Sequence, residues 1–248
     1  MLILLPPSEG KTAPESGPVL DPEALSSPVL HRTREQLLNA LVRLSSTKRA
    51  AEILGLGPQQ AADIERNARL REEPTAPAIE VYTGVLYGEL DWAGLDEAAR
   101  QRGRETLAIA SALFGLVRPH DQIPAYRMSG SVTLPRLGTV ASRWKPVVPR
   151  AIEELADGRL VIDLRSGTYV ALGAAPAGSV TMRVLTDKGG KRSIVSHSNK
   201  ATKGRIVGQL LAEGVEAKDV DSLADALRDL GWTIEPSGPA RLDVILTA

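Results

Sequence analysis

The chain opens on Met-Leu-Ile-Leu-Leu at residues 1–5 and then meets Pro6-Pro7. Five apolar residues without polar alternation read as a buried strand, and two prolines, which cannot donate to a ladder, stop it. A strand of that kind needs a covered sheet, and the rest of the chain supplies candidates for one. "TLAIASALFGLVRP" (106–119) reads as a buried strand with its exit loop, and "AYRMSGSVTL" (125–134) as a strand with polar punctuation. "RLVIDLRSG" alternates as a strand should. "SVTMRVLT" and "RSIVSHS" flank an Asp187-Lys188-Gly189-Gly190 turn, and "WTIEP" and "LDVILT" close the chain. Helical spacing appears in Leu37, Leu38, Leu41 and Leu44, on both sides of Gly55-Leu56-Gly57-Pro58, over 142–156 despite Pro146 and Pro149, from about Lys200, and over 219–230. The stretch 77–90 leans to helix through Ile79, Tyr82, Val85 and Leu86. Strands and helices that do not strictly alternate predict a mixed α/β (α+β) fold, a central mixed β-sheet flanked by helices, in one domain over 1–248.

The 248 residues contain no cysteine, which excludes thiolate catalysis, cysteine zinc sites, iron–sulfur clusters and disulfides. Three histidines, His31, His120 and His197, lack metal-site spacing, so neither metal nor cofactor is expected. No signal peptide and no run of ~18 apolar residues is present, so a cytoplasmic protein without membrane contact is expected. Net charge is zero but segregated. Residues 101–150 carry eight Lys or Arg against two acids, and 183–205 carry seven against one. A basic cleft on an acidic body would look like this.

Several stretches carry chemistry. Ser8-Glu9-Gly10-Lys11-Thr12 follows the first strand, but the phosphate-cradling loop needs a glycine where Leu5 stands, so Lys11 is read as a strand-end cation instead. Leu54-Gly55-Leu56-Gly57, then Ala61 and Ile64, match the pattern of a helix-hairpin-helix over about 48–71, in which Gly55 and Gly57 would expose N–H groups to a DNA phosphate. A plain αα-hairpin with glycine caps reads equally well. "SHSNKATKGR" (196–205) sets Lys200, Lys203 and Arg205 near a helix start, where cations oppose the macrodipole unless an anion sits there. "GLVRPHDQIPAYRMSGS" (115–131) offers Arg118, Tyr126 and Arg127; Arg118 pairing with Asp121 is the structural alternative. Asp163, Arg165, Ser166 and Tyr169 sit near a strand end.

In order and spacing, "LPPSEGKT", "VYTGVLYGEL", "ASALFGLVRPHDQIPAYRMSG", Trp144-Lys145, "VIDLRSGTY" and "SHSNKATKGR" resemble the YaaA family of peroxide stress proteins, nearly end to end. The resemblance implies a mixed α/β body with an embedded helix-hairpin-helix and a positive cleft. It also implies sequence-independent binding of duplex or structured DNA, limitation of oxidative damage, and a link to iron. Lys11, Arg118, Tyr126, Arg127, Lys200 and Lys203 match family positions that would line the cleft, and His197-Ser198 replaces an aromatic-rich pair. Two functions follow as expectations. One is a DNA-binding protein using Lys11, Arg118, Arg127, Lys145, Lys200, Lys203, Arg205, Gly55 and Gly57. The other is an enzyme acting on a small phosphate- or carboxylate-bearing molecule, nucleotide or nucleobase-like, with Lys11, Tyr126, Asp163 and Lys200 as catalytic candidates.

Overall fold

The computed structural model describes residues 1–194 and 196–247, Ser196 and His197 by their backbone alone. Eight strands form the main sheet: β1 (Leu2–Leu5), β2 (Leu107–Ser111), β3 (Gly115–Val117), β4 (Val161–Asp163), β5 (Val180–Lys188), β6 (Lys191–Ser193), β7 (Thr233–Gly238) and β8 (Arg241–Thr247). Their order across the sheet is β7-β8-β5-β4-β1-β2-β3, with β6 paired to β5. The central run from β8 to β2 is parallel, and β7, β3 and β6 join antiparallel. All residues of β1, β2 and β4 are buried, as continuous apolar runs in a sheet covered on both faces must be. Leu4 pairs with Ala108 and Asp163, so the carboxyl ends of β1, β2 and β4 emerge along one edge.

Eleven helices are described: α1 (His31–Ser45), α2 (Ala50–Leu54), α3 (Ala61–Ala68), α4 (Ala78–Val81), α5 (Val85–Leu90), α6 (Glu97–Thr106), α7 (Val140–Trp144), α8 (Val148–Ala156), α9 (Gly167–Val170), α10 (Ser196–Ala212) and α11 (Val220–Asp229). The contact between α10 and α5 depends on two glycines. A Cβ at Gly204 would lie 2.3 Å from the Leu86 carbonyl oxygen, and one at Gly208 would lie 2.8 Å from that of Leu90. Glycine at both positions lets the two backbones touch.

Several expected elements differ. The run 106–119 is not one strand with an exit loop: it reverses over residues 112–114, where the Phe114 N–H donates to Ser111 Oγ at 2.9 Å, and returns as β3. The helix expected over 142–156 breaks after Trp144, because Pro146 and Pro149 cannot continue it, and Pro149 serves in the first turn of α8. Residues 125–134 form no strand until Thr133–Leu134, which pairs with Gly138–Thr139. The backbone at Arg127 is taken by a side chain instead: its N–H donates to Asn67 Oδ1 at 2.9 Å and its carbonyl accepts from Asn67 Nδ2 at 2.8 Å. The helix of 77–90 is split in two at residues 82–84. The strand expected over 192–198 stops at Ser193, and Val195 lies outside the described residues.

Residues 50–68 form α2, a 3-10 turn Pro58–Gln60 and α3; a DNA-binding helix-hairpin-helix is not shown. The N–H groups of residues 55–57 in its turn are engaged. Gly55 N–H donates to the Glu52 carbonyl at 3.2 Å, Leu56 N–H to that of Ala51 at 2.9 Å, and Gly57 N–H to Gln60 Oε1 at 2.8 Å. The neighbouring arginines are also engaged: Arg66 with Asp63 at 3.0 Å, Arg69 with Glu73 at 3.4 Å, Arg71 with Glu35 at 2.6 Å and Arg49 with Glu52 at 3.7 Å. Gly55 and Gly57 therefore act as helix caps.

Candidate anion-binding cavity

A cavity of about 690 Å³ opens at the edge where the parallel strands end. Crevices beyond the carboxyl ends of parallel strands are the usual ligand sites of open α/β sheets, because the loops leaving neighbouring strands diverge there. Its walls are residues 6–10 after β1, residues 83–87 at the start of α5, Ser129, residues 164–169 after β4, and Asn199, Lys200 and Lys203 of α10.

Hydrogen bonds fix these walls. Tyr87 Oη donates to the Pro6 carbonyl at 2.8 Å, and its ring stacks on Tyr82 with centroids 5.7 Å apart. Tyr169 Oη donates to Glu9 Oε1 at 3.2 Å, joining the β1 and β4 loops. Burial holds both phenols well above their usual range, so they remain neutral donors at physiological pH. Arg165 forks onto Asp163, donating from Nε to Oδ1 at 2.8 Å and from Nη2 to Oδ2 at 2.7 Å, and Nη1 donates to the Tyr169 carbonyl at 3.3 Å.

The charges of the cavity separate into engaged and free. Arg165 is spent on Asp163. Lys200 and Lys203 make no ion pair or side-chain hydrogen bond among the described residues, and they project from α10 one turn apart. Burial pushes the Lys203 ammonium below its ordinary range, and Asp163 partly restores it. Asn199 Oδ1 is buried and finds no donor among the described residues. Because α10 begins at Ser196, Lys200 and Lys203 lie past its first turn. The macrodipole argument, which fades within one turn, therefore no longer explains them; their lack of partners does.

The other expected site residues divide by distance from this cavity. Lys11 lies behind its wall: Nζ donates to the Ser8 carbonyl at 2.8 Å and sits 4.3 Å from the Tyr126 ring centroid and 5.2 Å from that of Tyr82. Desolvation lowers its pKa to about 8, with Glu9 opposing and Arg127 adding to the shift. Tyr126 is buried against Ser111 Oγ at 2.8 Å and Tyr82 Oη at 3.1 Å, and burial raises its pKa to about 12. Asp163 is buried and held by Arg165, which suits anchoring rather than proton transfer. Arg127 Nη1 donates to the Glu9 carbonyl at 2.8 Å.

Arg118 does not join the site. The reversal into β3 carries it toward the amino end of β2, where its guanidinium donates to the Arg104 carbonyl. Asp121 accepts from the Arg118 backbone N–H at 2.8 Å and not from its guanidinium. Arg205 is tied to Glu89 at 2.6 Å, and Lys145 is exposed and absent from the cavity wall. Glu9, Thr83, Tyr87 and Thr168 were not anticipated. A lone carboxylate or hydroxyl carries no spacing signal, and only the proximity of Glu9 to the end of β1 could have pointed to it.

The family model described as peroxide stress protein YaaA matches residues 1–237. The chain belongs to the YaaA family. A UPF0246 protein of Streptomyces coelicolor is 44% identical over 247 residues, 97% of this chain and 94% of that protein. A UPF0246 protein of Corynebacterium efficiens is 42% identical over 240 residues, 95% of each. An uncharacterized protein of Campylobacter jejuni is 27% identical over 166 residues, 67% of this chain and 65% of that one. Membership in the YaaA family agrees with the resemblance carried by the six motifs. Among the described residues, no helix is long and apolar enough to cross a membrane.

Proposed function

We propose that this peroxide stress family protein binds a small metabolite bearing a phosphate or carboxylate in the cavity at the carboxyl edge of its sheet. The observation that carries this reading is the pair Lys200 and Lys203: two cations with no ion pair or side-chain hydrogen bond among the described residues, facing a cavity of about 690 Å³ whose other cation, Arg165, is already paired. A space of that size suits a metabolite. Two side-chain ammonium groups can neutralise one phosphate, and the partial burial of Lys203 strengthens its share of the attraction. Calorimetric titration with AMP and with inorganic phosphate tests the reading. Lys203→Met is expected to lower affinity at least tenfold, and Lys145→Met to leave it unchanged. Absence of binding by the wild-type protein at low salt would overturn it.

A second reading, sequence-independent DNA binding, has its own support in the hairpin of β5 and β6. Lys188 and Lys191 are exposed and directly opposite each other across the pair, a like-charge arrangement that a polyanion would relieve. Duplex binding with a steep salt dependence, weakened by Lys188→Met and Lys191→Met but not displaced by AMP, would favour it.

A further inference from the structure

The cavity is bipolar. Lys200 and Lys203 stand on α10, whereas the β1 loop contributes the carboxylate of Glu9 to the same wall. That carboxylate makes no ion pair within 4 Å among the described residues and accepts one hydrogen bond, from Tyr169 Oη at 3.2 Å to Oε1. Two nearby cations each bond a backbone oxygen and not this carboxylate: Lys11 Nζ the Ser8 carbonyl, with its charge still felt by Glu9, and Arg127 Nη1 the Glu9 carbonyl. Oε2 is left as an acceptor. Tyr169, whose phenol stays protonated, donates to Glu9 and so orients its carboxyl group at the cavity wall. A pure anion would be attracted by α10 but would leave the Glu9 carboxylate unmatched.

We propose that the ligand of this cavity carries a cationic or N–H donor group in addition to its anion, with Lys200 and Lys203 binding the anionic end and Glu9, oriented by Tyr169, binding the donor end. The class is an amine-bearing phosphate or carboxylate rather than a simple anion. The inference rests on the anion-binding reading above and adds a second, opposite recognition point. Glu9 acts as a specificity determinant: discrimination comes from an unpaired carboxylate that rewards a donor and penalises a ligand without one.

The test uses the full chain and two ligand series: ω-aminoalkyl phosphates of two to six carbons, and alkyl phosphates of the same lengths. Both are titrated calorimetrically at pH 7.5 into wild type, Glu9→Gln and Lys203→Met. At the length that spans the cavity, the amine-bearing ligand is expected to bind at least tenfold tighter than its alkyl counterpart. Glu9→Gln is expected to erase that preference, weakening the amine-bearing ligand and raising alkyl phosphate affinity, and Lys203→Met to weaken both series. Glu9 is exposed, so Glu9→Gln is expected to keep the wild-type melting temperature. Equal affinities for the two series in wild type would overturn the bipolar assignment and leave the anion site standing. A preference that survives Glu9→Gln would also overturn it, by showing that another group reads the amine. Failure of both series to bind would overturn the anion reading itself.

Discussion

Lys11 shows how one side chain can be chemically conspicuous in sequence and structurally occupied in the fold. Its ammonium is held by the Ser8 carbonyl and the Tyr126 ring, so its first role is to brace the β1 loop whose Glu9 reaches the cavity. Its ionisation makes that role measurable. The pKa falls from 10.5 to about 8 because burial penalises the charged form. Between those two pH values the unfolded chain binds more protons at this residue than the folded chain, so the contribution of Lys11 to stability rises with pH across that window. Urea denaturation of wild type and Lys11→Met at pH 7.5, 9 and 10.5 is expected to show the difference shifting in favour of wild type as pH increases. A difference that stays flat would contradict the desolvation of Lys11.

The elements were legible where periodicity and pattern agreed. The apolar run of β1, the helical leucines of α1 and the strand before the Gly189-Gly190 turn appear where expected. They failed to be legible where tertiary partners decide the backbone. Residues 107–117 are buried in both strands and across their turn, so Ser111 and Gly115 alone mark the reversal, which takes Arg118 to the other end of the sheet. Asn67 captures the backbone of Arg127 from 60 residues away, which no local pattern encodes. The site was half legible for the same reason. Lys200 and Lys203 stand out as cations near a helix start, whereas Glu9 matters only because β1 and β4 are neighbours.

Packing between α10 and α5 is the element on which the site depends. Gly204→Leu would drive a side chain into the Leu86 carbonyl, and overpacking of this kind costs about 1–3 kcal/mol. AMP affinity is expected to fall as Lys200 and Lys203 shift. Gly88→Ala, on α5 with open space around it, is the control: it is expected to preserve or slightly raise stability and to leave affinity intact. Equal behaviour of the two variants in thermal unfolding and AMP titration would show that the α10 to α5 contact does not position the lysines.

For the molecule as a whole, the parallel core brings the carboxyl ends of β1, β2 and β4 to one edge, and α10 lines the crevice there with Lys200 and Lys203. The basic segment 183–205 thus supplies both the cavity lysines and Lys188 and Lys191 on the hairpin outside it, whereas the segment 101–150 gives the cavity wall no cation. The central claim is that the anion is received by the cavity. Lysine acylation footprinting by mass spectrometry, with and without saturating AMP, tests this most directly. Protection is predicted at Lys200 and Lys203, with Lys145, Lys188 and Lys191 modified at unchanged rates. Protection confined to Lys188 and Lys191, or none at any lysine, would contradict the account.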